Sequence, residues 1–103
     1  MDFNVKEKSV VLRIRKRYFD AVVSGLKTVE FRKDSEFWRK RIQDAGVAVF
    51  ICGKRIHRRN ILSVQVIKTP GWFSEQGQKD VDTPYCFAIY LGGEVLEGGA
   101  PDE

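Results

Sequence analysis

The apolar pattern of this 103-residue chain changes period repeatedly, and that change leaves few architectures open. Val10, Leu12 and Ile14 alternate with Val11, Arg13 and Arg15. The stretch from Ser9 to Arg15 therefore reads as a strand, with its first set inward and its arginines toward solvent or a ligand. From Lys16 to Ser24 the period becomes helical, with Phe19, Val22 and Val23 on one face and Tyr18 able to join them. Gly25 then supplies the left-handed stop. Lys27 to Lys33 alternates again, which puts Val29 and Phe31 on one face and Thr28, Glu30 and Arg32 on the other. Asp34 or Ser35 caps a second helix with Trp38, Ile42 and Ala45 as its apolar stripe and Gly46 as its end. Val47 to Cys52 is short and apolar enough for a buried strand. Gly53 to Arg59 reads as a basic turn. Asn60 to Lys68 reads as a strand with Leu62, Val64 and Val66 inward. Tyr85 to Leu91 is the last strand, after a polar loop over Trp72 to Pro84 with one helical turn near Ser74 to Gln78. Five short strands in so small a chain must close or cover their edges. The expected fold is α+β, mainly β: a small five-stranded barrel with one or two short helices, one of them plugging an open end.

Charge divides the chain more sharply than its net +4 suggests. Residues 1–68 hold 17 of the 18 Lys and Arg against seven of the 14 acids, a net of +10; residues 69–103 come to −6. A basic body of this kind attracts phosphate-bearing partners. The expected organisation is an N-terminal extension over 1–8, one domain over 9–93 and a flexible acidic tail over 94–103. No apolar run reaches the roughly 18 residues of a membrane span, and the polar start does not read as a secretory signal. A cytoplasmic protein without membrane contact is expected. Cys52, Cys86 and His57 are too few for a disulfide framework or a tetrahedral zinc site, so no metal and no cofactor is expected.

The densest polar cluster is Lys27, Thr28, Glu30 and Arg32. Gly25 permits the reversal that brings Lys27 to the head of a strand, and the pleat aims the other three away from Val29 and Phe31. An ammonium, a hydroxyl, a carboxylate and a guanidinium so placed can hydrogen-bond a base edge and neutralise a phosphate. On spacing alone, a solvated Glu30–Arg32 surface pair explains the same residues. In either reading the cluster is not needed to fill the core.

The run from Tyr18 through Gly25, Lys27, Thr28 and Glu30 to Arg32 resembles the signature of the ASCH (activating signal cointegrator homology) domain, a member of the PUA-like superfamily. The signature has an aromatic-led helix followed by Gly-x-Lys-Thr-x-Glu-x-Arg. The closing stretch from Phe87 to Gly93 resembles the family's last strand, so the likeness spans about residues 9–93. It implies a five-stranded PUA-like barrel, a ligand cleft at the helix–strand junction and binding of RNA or a modified nucleotide. By this resemblance Lys27, Thr28, Glu30 and Arg32 are ligand-binding residues, and Arg13 and Arg15, on the outward face of the first strand, are expected to join them. Small family members that hydrolyse N4-acetylcytidine carry Lys at the Lys27 position and a nucleophilic Thr at the position of Glu30, and other members are linked to RNA cleavage. The expected function is therefore an RNA- or nucleic-acid-binding module. The alternative is a small nucleoside or RNA hydrolase with Lys27 and Glu30 in its active site and an activated water in place of the missing Thr.

Elsewhere, Lys54, Arg55, Arg58 and Arg59 read either as a solvated basic turn or as contacts to a nucleic-acid backbone, with His57 as a candidate proton carrier. Trp72 and Phe73 follow a Pro-Gly turn and can stack on a base or cap the barrel. Cys52 and Cys86 fall in strands and are expected to be buried free thiols.

Overall fold

Alternating side chains and tight turns produce one five-stranded sheet in the computed structural model, which describes residues 8–72 and 84–96. The elements run β1 (Ser9–Arg13), α1 (Lys16–Ser24), β2 (Val29–Lys33), α2 (Glu36–Ile42), β3 (Val47–Cys52), β4 (Arg55–Lys68) and β5 (Tyr85–Glu94). Their order across the sheet is β1-β3-β4-β5-β2. β1 and β3 pair in parallel, because a helix, a strand and a second helix separate them; the other pairs are antiparallel. The sheet curls into a half-barrel, and α1 and α2 complete the small, mainly β, α+β architecture that the periodicity implies. Val10, Leu12, Phe50 and Ile89 meet Phe19 and Val22 of α1 in the core.

Helix α1 stops where the sequence says it must. Gly25 takes φ 86° and donates to the Val22 carbonyl, and the Lys27 amide donates to the Ala21 carbonyl at 3.0 Å. A side chain at Gly25 would meet the steric cost of the left-handed region. Ser35 rather than Asp34 caps α2, its hydroxyl accepting from the Trp38 amide at 3.3 Å.

Helix α2 ends at Ile42, ahead of the expected stop at Gly46, and four expectations about the strands are overturned. First, the turn after β3 is only Gly53-Lys54, and Arg55 to Arg59 pairs with β3 as the start of a 14-residue strand. The apolar β3 imposes this pairing, because its backbone groups need a second partner strand. Second, Leu62 and Val66 are not inward but 71% and 57% exposed. Register shifts between Arg59 and Ile61 and between Ile61 and Ser63 turn the strand there, as bulges do, and a simple alternation count cannot anticipate them. Third, β5 runs through Gly92 and Gly93 to Glu94, past the expected end of the last strand. Gly92 is accommodated because a Cβ there would lie 2.8 Å from Leu62 Cδ2. Fourth, Glu30 and Arg32 point into the core, with 1% and 3% exposure, while Val29 and Phe31 are half-buried on the other side of β2. Half of the cluster is core: Glu30 and Arg32 are buried, while Lys27 is half-buried and Thr28 exposed. Burial is tolerated because the opposite charges pair and hydrogen-bond one another.

Edge strands β1 and β2 share no ladder. Instead Arg32 Nη2 donates to the Arg13 carbonyl at 3.4 Å, so a side chain from one edge reaches the backbone of the other. Phe73 and the expected helical turn at 74–78 lie outside the described residues, as do 1–7 and 97–103.

Candidate functional site

The tie between the Lys27 amide and the end of α1 holds this side chain over β2. Lys27 Nζ donates to the Val29 carbonyl at 2.8 Å and lies 3.1 Å from Glu30 Oε1. The second Glu30 oxygen accepts from Arg32 Nε at 3.0 Å and Nη2 at 2.7 Å. Two cations therefore clasp one carboxylate, and the trio keeps one net positive charge. The Arg32 guanidinium also lies 4.7 Å from the Trp38 ring centroid, which supports its planar face.

Only Lys27 of the trio reaches the surface, and aromatic rings surround it. Its ammonium is 5.8 Å from the centroids of both Tyr18 and Phe31. Trp72 stands edge-on to Phe31 with centroids 5.2 Å apart and is 69% exposed. The Arg17 guanidinium covers Tyr18 at 4.8 Å. Tyr18, Phe31 and Trp72 thus form an aromatic rim around a half-buried cation, a geometry that offers both a stacking surface and a charge. Periodicity alone assigns Tyr18 and Phe31 to the core. The missed signal is the run of Glu30 and Arg32 after Lys27: three mutually neutralising charges can turn inward together and rotate Phe31 outward.

Arg13 and Arg15 stand exposed near the entry to α1, and Thr28 is exposed while its carbonyl accepts from the Leu91 amide at 2.9 Å. The basic strand start is divided by the pleat. Lys54 is exposed at the hairpin tip, and Arg58 is half-buried on the outer face. Arg55 pairs with Asp20 at 3.0 Å and lies 4.5 Å over the Phe19 ring. Lys16, then Arg55, bonds the Asp20 carboxylate and holds it below the usual carboxylate range. Arg59 turns inward, donating to the carbonyls of Val22 at 2.8 Å and Gly92 at 2.6 Å.

His57 is on that same inner row, 9% exposed and edge-on to Phe19 at 6.3 Å. Its Nδ1 lies 3.7 Å from Glu94 Oε2, and its Nε2 has no hydrogen-bond partner among the described residues. Burial holds the imidazole below its ordinary 6.5; Glu94 opposes the shift and Arg59 adds to it. Cys86 is a buried free thiol, pushed up by that burial, whereas Cys52 is only half-buried because it sits at the hairpin mouth. Among the described residues no group of three or more His, Cys, Asp or Glu is arranged to hold a metal ion. Nor is any described helix long and apolar enough to cross a membrane.

No protein-family model matches the chain, and no curated protein matches it. Among solved structures, a mutant of ZmASCH from Zymomonas mobilis is similar at 21% identity, over 84% of this chain and 68% of that one, with a TM-score of 0.58. A likeness at that identity speaks for the backbone arrangement. Together with the Gly25-to-Arg32 stretch at the junction of α1 and β2, it establishes an ASCH-like fold for this chain.

Proposed function

We propose that this protein is an RNA-binding module that holds unpaired bases on the aromatic rim around Lys27. The observation that carries the reading is the pair of 5.8 Å contacts that set the Lys27 ammonium between Tyr18 and Phe31, with the exposed Trp72 against Phe31. Bases have a stackable face whatever their sequence, and the ammonium offers a charge for the phosphate or a donor for the base edge. Arg13, Arg15 and Arg17 surround the start of α1 and serve as phosphate contacts, with Lys54 and Arg58 extending the track along β4. Arg59 contributes to the architecture instead, since its donors go to Val22 and Gly92.

Binding is preferred to hydrolysis because Glu30, the residue at the nucleophile's position, is buried and clasped by Lys27 and Arg32. A general base needs to reach the proton it removes. The test is a fluorescence titration of a labelled single-stranded RNA with the wild type, Trp72→Ala and Tyr18→Leu. Each substitution is expected to weaken binding by about 1–3 kcal/mol, the worth of a base–aromatic stack. Undiminished affinity in both variants defeats the reading, and release of a cleaved or deacylated product revives the hydrolase.

A further inference from the structure

Away from the Lys27 rim, between α2 and β4, lies a cavity of about 330 Å³. Its walls are the C-terminal end of α2 with the following connection, and the bulged middle of β4. Ile42 and Ala45 supply apolar surface from the first wall, Val64 from the second, and Phe87 of β5 also lines it. The polar groups come from Arg39, Gln43, Asp44 and Ser63. The Arg39 guanidinium, paired with Asp34, lies 5.9 Å from the Phe87 centroid.

We propose that this cavity binds a nucleobase, distinct from the bases on the Lys27 rim. Three features select that chemistry. The volume lies at the bottom of the range of about 300–1,000 Å³ for small-molecule sites, enough for one ring system and too small for a duplex end. Apolar surface on both walls suits a planar ring. The polar set contains donors and acceptors together: a guanidinium, an amide, a hydroxyl and a carboxylate. Such a mixture matches a base edge, which presents both kinds. It suits a simple anion poorly, because Asp44 repels one, and it suits an acyl chain poorly, because the polar groups would lose water without replacement. Two features of the backbone shape the cavity. Asp44 adopts φ 63° as the left-handed residue that ends α2, and this turn sets its carboxylate at the mouth of the cavity. The register shifts of β4 leave Leu62 exposed beside the cavity, and bulges are frequent next to binding sites.

The base can belong to a free mononucleotide or to an unpaired nucleotide of RNA, and the test separates the two. Backbone amide spectra of the full chain are recorded with each of the four ribonucleoside 5′-monophosphates, with ribose 5-phosphate, with inorganic phosphate and with a single-stranded heptanucleotide. Mononucleotides are expected to shift the amides of Ile42, Ala45 and Val64, and ribose 5-phosphate and phosphate are not. Ser63→Trp fills the cavity from an exposed position and is expected to weaken mononucleotide binding at least tenfold. Asp44→Gly relieves the backbone while removing the carboxylate, and is expected to weaken it about three- to tenfold with the spectrum otherwise preserved. Trp72→Ala is expected to weaken binding at the rim while the mononucleotide-induced shifts of the Ile42, Ala45 and Val64 amides persist, so failure of the RNA-binding reading is distinguishable from failure of this one. Tighter binding of the heptanucleotide, abolished by Ser63→Trp, assigns the base to RNA; equal binding assigns it to a free nucleotide. Shifts reproduced by phosphate, or full affinity in both cavity variants, overturn the proposal.

Discussion

Glu30 occupies a place where a lone carboxylate would be prohibitively desolvated, and Lys27 and Arg32 make it tolerable from opposite sides. If it stood on an open face, as the alternation of β2 suggests, Glu30→Gln would cost about 0–1 kcal/mol. In the core the same change leaves two cations facing one neutral amide. Breaking a buried pair by removing one partner costs about 3–5 kcal/mol. For a domain of this size, each kcal/mol lowers Tm by roughly 4–8 °C. A fall of more than about 10 °C in a thermal melt is therefore expected for Glu30→Gln. A loss below about 3 °C would show that the trio is hydrated and the carboxylate dispensable to folding. His57 gives a second residue-scale prediction, through pH. Its folded value lies below the ordinary 6.5, so as pH falls from there the unfolded chain takes up a proton before the folded one does. Stability is fully present above 6.5 and declines as pH falls through the folded value. His57→Gln is expected to flatten Tm between pH 7.5 and pH 5.5, and an unchanged slope would assign the dependence to other groups.

At the scale of elements, α1 is held by its C-terminal end. Its N-cap residue, Arg15, makes no side-chain cap, and its first turn has no acid to complement the dipole. The last turn instead receives the Arg59 guanidinium on the Val22 carbonyl, and the same side chain ties β5 at Gly92. Arg59→Ala is expected to cost about 1–3 kcal/mol by leaving those carbonyls short of a charged donor. Amide exchange near Val22 and Gly25 should accelerate with it. Protection unchanged from wild type would mean that Gly25 alone suffices as the stop. This division also shows what the sequence made legible. Strand and helix identities follow from period, and Gly25 marks the one sharp stop, so the fold class was readable. The facing of β2 was not, because alternation separates two sets without naming the inner one. Hydrophobicity chose Val29 and Phe31; charge pairing among Lys27, Glu30 and Arg32 overrode that choice. The exposure of Leu62 was hidden for a different reason, since a bulge depends on the partner strand and has no signature in β4 alone. The Gly25-to-Arg32 stretch identified the right junction but not the rim of Tyr18, Phe31 and Trp72, which only the reversed facing brings together.

For the whole molecule the governing fact is the +10 of charge in residues 1–68, part of which the described residues leave on the surface. Ion pairs absorb part of it: Asp20 takes Lys16 and Arg55, Asp34 takes Arg39, and Glu36 faces Lys40. Arg13, Arg15 and Lys54 remain exposed. If RNA lies along these groups, each neutralised phosphate releases a counterion, and for a single strand the log–log salt slope is about −0.7 per phosphate contacted. Three to five contacts then give a slope of about −2 to −3.5. Between 50 and 200 mM salt the affinity should fall about 20- to 130-fold, while stacking on the rim is nearly salt-independent. Exchanging Arg13 and Arg15 together for Ala removes two contacts, so the slope should flatten by about 1.4 and the loss should be equal for all sequences. Trp72→Ala makes the opposite prediction: lower affinity at every salt concentration, with an unchanged slope. The measurement is a salt series of single-strand titrations on the wild type and both variants. A slope near zero for the wild type would remove phosphates from the recognition, and a slope that changes in Trp72→Ala would mean that the rim and the basic track are not separate contributions.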